Sequence, residues 1–308
     1  MSKHFRQFPE APVKPALVPS ATRLGPVHIG ITDATKALPV WRDLVGLTVL
    51  SQDDRDIVLG AGGRPLIVLH PGAVLPVKAR TSGLYHVAIH VPARRDLALA
   101  VARMFSARYR NAPTDHLVTE TTYLWDADNN GIELTFETPD RGVLIAERGD
   151  YYGLDRQGRR HSGRGQVDLG SLFSELTEGE SLVVPLPAGT RIGHVHLHVN
   201  SLDEAMRFYA EVIGFEYQML GRGFGMADVT LDYPPHIMAF NTWNGEGALQ
   251  APREHAGLRH FVIELPSATD RDAVVERLRN AGAPVTPLPL GAIETVDPAG
   301  NRIRLVVQ

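Results

Sequence analysis

His194-Val195-His196-Leu197-His198-Val199 alternates imidazole and aliphatic side chains over six residues. A strand has period two, so the three histidines share one face while Val195, Leu197 and Val199 share the other. One face suits a core and the other suits a ligand. Working outward, the same opening recurs as Pro26-Val27-His28-Ile29-Gly30-Ile31, His86-Val87-Ala88-Ile89-His90-Val91 and His260-Phe261-Val262-Ile263-Glu264-Leu265. A helical pattern and then further short apolar runs follow each opening. The four copies occupy about 24–70, 83–137, 192–243 and 257–307.

The copies agree in detail. Asp33 to Gly46 and Ser201 to Gly214 both span 13 positions. Asp126…Asn130-Gly131-Ile132-Glu133-Leu134 matches Asp297…Asn301-Arg302-Ile303-Arg304-Leu305, with Glu133 and Arg304 each 7 positions after the Asp. A repeated unit buries its apolar face by pairing with another, so the repeat sets the fold. Each unit reads as strand, helix and three strands. The expected fold class is α+β: four βαβββ modules paired into two curved mixed-sheet cups, with helices on the outer faces and the concave faces free for a ligand.

In chain order this gives an arm over 1–21, a domain over 22–138 holding modules 1 and 2, a connection over 139–189, and a domain over 190–308 holding modules 3 and 4. Asp33 is a good N-cap, and Pro39 inside the first helical pattern predicts a kink or a late start. The second helix reads as 94–107, with Leu97, Val101, Met104 and Phe105 on one stripe. The third begins near Ser201 and turns Ala205, Phe208, Tyr209 and Val212 inward. The fourth reads as 269–281, ended by Gly282. Between Asp140 and Pro187 the repeat is lost. That stretch is rich in Gly and Arg over 156–165, carries a short helical pattern over 169–176, and reads as a connection laid over the surface.

Composition narrows the chemistry. The 308 residues carry a net charge of −4 and no long basic run, which argues against nucleic acid as a partner. There is no cysteine, so a metal site must be built from His, Asp or Glu. No apolar stretch is long enough to span a bilayer, and the segment before Pro19 is polar and Pro-rich without an apolar signal core. The expectation is a cytoplasmic protein with no membrane partner, able to form a homo-oligomer.

Six segments carry a resemblance: Gly83-Leu84-Tyr85-His86, Asp115-His116-Leu117-Val118, Leu186-Pro187-Ala188-Gly189-Thr190, Gly193-His194-Val195-His196-Leu197, His236-Ile237-Met238-Ala239-Phe240-Asn241-Thr242-Trp243 and Gly300-Asn301-Arg302-Ile303-Arg304-Leu305. In this order they make the chain resemble the vicinal oxygen chelate superfamily of glyoxalases, bleomycin-resistance proteins and type I extradiol dioxygenases. Among these it is most similar to bacterial two-domain catechol 2,3-dioxygenases.

The resemblance implies a metal between two paired modules, held by the first residue of each opening strand and an acid on a last strand. The candidates are Pro26, His86, His194 and His260 at the openings, and Glu133 and Arg304 at the acid position. Modules 1 and 2 offer Pro26, His86 and Glu133, one ligand short. His28 lies on the same face, but displaced by about 7 Å for two strand residues. Modules 3 and 4 offer His194, His260 and Arg304, with a cation where the acid belongs. Modules 2 and 3 offer His86, His194 and Glu133, the two imidazoles and one carboxylate that suit Fe(II), with Mn(II) as the alternative. Modules 1 and 4 then keep only Pro26, His260 and Arg304. The expectation is one live cup from modules 2 and 3 and one dead cup from modules 1 and 4.

The resemblance also assigns acid/base roles to His236 in module 3 and to His116 and Tyr123 in module 2, with Tyr123 10 residues before Glu133. It implies meta-cleavage of a catechol or substituted catechol with O2 to a 2-hydroxymuconic semialdehyde-type product. A metal-dependent glyoxalase-like isomerase or a non-catalytic binding protein of the superfamily is the alternative. The chain has 13 histidines, and a strand histidine is more often packed or solvated than ligating. That plainer reading is held for His28, His90, His196 and His198, although His196 and His198 could line the cup. His260 reads as a remnant satisfied by a hydrogen bond. Tyr123 reads equally as an aromatic packed on its sheet. Arg304 could pair with an acid at the edge of the dead cup. Asn241 and Trp243 are either structural or shape the pocket.

Overall fold

The structure, a computed structural model, describes residues 5–7, 16–147, 150–231 and 236–308. Most of the arm expected over 1–21 lies outside them. The four modules follow the expected element order. Their opening strands are Arg23–Ile31, Gly83–His90, Arg191–His198 and Gly257–Leu265.

Two large mixed sheets result, and neither pairs module 1 with 2 or module 3 with 4. Gly83–His90 of module 2 pairs antiparallel with Arg191–His198 of module 3 at the centre of a nine-stranded sheet. Gly257–Leu265 of module 4 pairs antiparallel with Arg23–Ile31 of module 1 at the centre of an eight-stranded sheet. Strand alternation does what the sequence implies. Val87, Ile89, Val195 and Leu197 are fully buried against the helical side, and the histidines take the opposite face.

Helices and caps tie the two sheets together. The first helix, Ala34–Leu38, is capped by the Asp33 carboxylate accepting from Thr35 N–H. At Pro39 it widens into a π-helix, Pro39–Leu44, instead of stopping. Proline has no N–H to donate within an α-helix, and the wider turn accommodates it without being caused by it, since the same widening occurs without a proline in module 3. Module 3 repeats the device with Leu202–Met206 followed by a π-helix over Arg207–Ile213. Each π-helix runs on to a left-handed glycine, Gly46 (φ 99°) or Gly214 (φ 102°).

An arginine from the next module's helix caps the exposed carbonyls there. Arg103 Nε and Nη2 donate to Leu44 O and Val45 O, both at 2.9 Å. Arg277 Nε and Nη2 donate to Val212 O at 2.9 Å and Ile213 O at 2.7 Å. Cationic donors suit helix C-termini, where carbonyls lack intrahelical partners. Two buried aromatic donors repeat the same link. Trp41 Nε1 donates to Asp126 at 3.1 Å, and Tyr209 Oη donates to Asp297 at 2.9 Å. Each acid also accepts from backbone amides of its own turn, which explains the Asp…Asn match seen in the sequence. The sheets therefore pair modules 2 with 3 and 4 with 1, while helices and caps join 1 to 2 and 3 to 4.

Two expectations change. Phe105, placed on the buried stripe, is 46% exposed at the end of the Arg94–Ser106 helix, with its ring edge toward Phe173. The stretch after Asp140 is more than a surface connection. Gly142–Glu147, Asp150–Asp155 and Arg160–His161 form a small sheet, to which Phe5–Gln7 adds in parallel. Leu144, Tyr151, Gly163 and Arg164 from this region line a cavity of the nine-stranded sheet.

Candidate metal centre

His86 and His194 stand diagonally across the two central strands of the nine-stranded sheet, and Glu133 lies on the parallel neighbour Gly131–Glu137 in register with Ala88. All three are buried, at 4%, 6% and 3% exposure. Glu133 Oε2 is 2.8 Å from His86 Nε2 and 3.1 Å from His194 Nε2, and the two Nε2 atoms are 3.0 Å apart. Among the described residues this is the one group of His and acidic side chains whose ligand atoms converge in this way.

Proton placement shows what such a cluster requires. His90 Nδ1 lies 2.6 Å from Glu137 Oε1, which only accepts, so His90 carries its proton on Nδ1. His90 Nε2 faces His194 Nδ1 at 3.4 Å. His194 Nε2 lies 3.0 Å from His86 Nε2 and 3.1 Å from Glu133 Oε2. Burial pulls the His194 imidazole down to about 4, against the opposing pull of Glu133, so it stays neutral near pH 7. Burial alone would raise the Glu133 carboxyl, but His86 and His194 together hold it well below the usual range. Glu133 Oε2 and His86 Nδ1 find no acceptable hydrogen-bond partner. A buried carboxylate oxygen without a donor, with two imidazole nitrogens within 3.1 Å, is stabilised by a cation between the three. Two imidazoles and one carboxylate are donors that suit a divalent transition metal.

A backing layer fixes these side chains. Arg191 pairs with Glu137, so His194, His90, Glu137 and Arg191 form a line behind the cluster. The backbone makes room for it: a Cβ at Gly193 would lie 2.0 Å from the His90 ring. This line was missed in the sequence, where His90 read as incidental. The available signal was its position four residues after His86 on the same face. On the other flank Asn241 Nδ2 donates to His196 Nε2 at 2.9 Å, while Asn241 Oδ1 accepts from His198 Nδ1 at 2.6 Å. Asn241 thus has a structural part, and His196 lines the cavity beside Trp243.

The sequence-assigned acid/base residues border the same cavity, whose volume is about 740 Å³. The His236 ring centroid is 4.4 Å from that of His194, and burial holds this imidazole well below its ordinary value. Tyr123 lies directly across the sheet from Glu133, and its ring centroid is 5.4 Å from that of His86. His116 Nδ1 donates to Gly163 O at 2.5 Å, leaving Nε2 to accept from Tyr123 Oη at 3.0 Å. Burial first, and then the Glu133 charge, push the Tyr123 phenol well above its ordinary value, so it keeps its proton.

The second cup has the same scaffold and none of this convergence. His28, His70 and His260 gather there, with His28 Nδ1 2.9 Å from His70 Nε2 and His260 stacked on His28 at 3.8 Å. His28 therefore serves a histidine pair. The hydrogen bond expected for His260 is missing at Nε2, which lacks a partner, and stacking holds the ring. Arg304 does pair with an acid, Glu294, at 3.2 Å. No helix among the described residues is long and apolar enough to cross a membrane.

Comparison with known proteins bears on family and fold. The family model described as the glyoxalase/bleomycin resistance protein/dioxygenase superfamily matches residues 191–305. A catechol-2,3-dioxygenase of Bacillus subtilis (strain 168) is 33% identical over 267 residues, covering 85% of this chain and 89% of the relative. A solved structure of a provisionally assigned dioxygenase from Bacillus subtilis subsp. subtilis strain 168 superposes with TM-score 0.62 at 11% identity, over 96% of this chain and 86% of the other. Glyoxalase I from Zea mays gives TM-score 0.56 at 14% identity, over 93% and 92% of the two chains. At these identities the two structural likenesses show the fold.

Proposed function

Because the chain belongs to the glyoxalase/bleomycin resistance protein/dioxygenase superfamily, we propose that it is a type I extradiol dioxygenase that opens a catechol or substituted catechol with O2 beside a hydroxyl-bearing carbon, giving a 2-hydroxymuconic semialdehyde-type product. The observation that carries the reading is the buried convergence of His86 Nε2, His194 Nε2 and Glu133 Oε2 within 3.1 Å of one another, with Glu133 Oε2 lacking a hydrogen-bond donor, an arrangement that suits a cation. His86, His194 and Glu133 would hold Fe(II), with Mn(II) fitting the same donors. When bound, the metal acidifies and orients the diol and brings O2 next to it.

The chain's own residues supply the rest. His236 is neutral near His194 and is positioned to take a proton from the diol. Tyr123 and His116 form a hydrogen-bonded unit on the His86 side, and the protonated phenol is the proton source there. Leu144, Tyr151 and Phe224 give the cavity apolar walls that limit water. A single acid in the ligand set separates this reading from isomerases of the superfamily that use two.

The test is aerobic turnover of catechol by protein purified without oxygen and loaded with Fe(II). A yellow ring-opened product is expected. His194→Ala should lose both iron and product while keeping the fold, and full activity in that variant would overturn the ligand assignment.

A further inference from the structure

The cavity is larger than a one-ring diol needs, and one of its rim residues is a cation. About 740 Å³ is the size of a site that encloses a drug-sized ligand. Beyond the ligand cluster its walls are aromatic: Tyr85, Trp125, Tyr151, Phe224 and Trp243. The Tyr85 ring lies between the His86 ring, at 4.9 Å, and the Trp243 ring, at 5.2 Å, so the aromatic surface runs from the metal ligands to the rim. There the Arg164 guanidinium sits over Trp243, 5.8 Å from the ring centroid.

Arg164 has no carboxylate partner among the described residues. Two other arginines of its segment differ: Arg156 pairs with Asp140 and Arg159 with Asp155. The acids around the cavity are engaged elsewhere, Glu133 with the histidines and Asp115 with Arg141. The field of Arg164 reaches inward, opposing the rise of the Tyr85, Tyr123 and Tyr151 phenols.

We infer that Arg164 reads an anionic group on the substrate, so that the preferred catechol carries an apolar or aromatic substituent that bears a carboxylate or comparable acid. This rests on the dioxygenase reading and specifies its substrate class. The aromatic walls would take the substituent's body, and the guanidinium would take its charge by charge-assisted hydrogen bonds.

A pair of probes differing in charge and by one methyl group tests it: 3,4-dihydroxycinnamate and its methyl ester, each bound to Fe(II)-loaded protein without oxygen and followed by calorimetry, with plain catechol as reference. Wild type should bind the acid at least about tenfold more tightly than the ester. Arg164→Gln should collapse that ratio toward one, and Arg164→Lys should keep part of it. Equal binding of acid and ester by wild type, or an equal loss for both in Arg164→Gln, would overturn the inference while leaving catechol binding intact. If catechol itself neither binds nor is opened, the dioxygenase reading fails and takes the subsite with it.

Discussion

The two cups are one construction carried out twice with different residues in the same places. Strand register makes the comparison position by position. Glu133 pairs with Ala88, two residues past His86, and Arg304 pairs with Val262, two residues past His260. His196 faces His86 across the central strand pair, and His28 faces His260. Glu133 therefore corresponds to Arg304, His86 to His260, and His194 to Pro26. The hydrogen bond from Asn241 to His196 recurs between His70 and His28 at the same 2.9 Å. Shared features such as this one, the π-helices and the capping arginines belong to the scaffold.

The differences go beyond the ligands. Where the first cup has His90 bonded to Glu137, the second has Glu264 paired with Arg23 at 2.5 Å, and Gln308 stands in the place of Glu137. The backing layer is absent from the same cup that lacks the triad. That association, inside one molecule, separates what the fold needs from what the His86–His194–Glu133 cluster adds.

The comparison can be broken outright by importing the second cup's residue into the first. Glu133→Arg puts a guanidinium among buried imidazoles, and loss of bound metal and of ring-opening activity beyond about 100-fold is expected, measured by metal analysis and turnover. A variant that still held iron would mean that the acid is not a ligand.

A finer test removes only the backing layer. Glu137→Gln should weaken metal affinity by about 10- to 100-fold in chelator competition and leave the apoprotein's melting temperature nearly unchanged. Gln308→Glu, at the matching place in the other cup, should leave metal content untouched. An equal effect of both variants would reduce the His90 line to a packing detail.

The smallest effect concerns pH. Burial first, and then His70, pull His28 down to about 3; burial first, and then His28 and Arg304, pull His260 down to about 2. Both are neutral in the fold and take protons in the unfolded chain below about pH 6.5. The unfolded state thus binds more protons between that value and about pH 3, and stability falls as pH falls through this window. Melting temperature should drop from pH 6.5 toward 4, and drop less in a His28→Phe/His260→Phe variant. Identical slopes would remove these two histidines as the cause.

Much of this was legible in the sequence because it was periodic. Alternation in the four openings fixed which side chains share a face, and equal Asp33–Gly46 and Ser201–Gly214 spacings fixed the unit. The crosswise pairing followed from asking which modules could complete a ligand set, and the sheet order agrees. The small sheet over 142–161 was not legible, because its short strands carry no repeat and lean on residues distant in the chain. His90 was misread for a related reason: its role depends on Glu137 from another strand and on the bare Cα of Gly193, which local pattern cannot supply. Phe105 lay on the right stripe but one position too near the helix end.

The crosswise sheets also bear on how the chain is made. The strand Gly83–His90 finds its central neighbour only when Arg191–His198 has been synthesised, 108 residues after His86 in the case of His194. Until then a newly made amino-terminal half holds two strands with open edges, and open edges template pairing with other chains. Exchange of halves between nascent copies is the misassembly this topology invites, and contacts so distant in sequence make for slow folding.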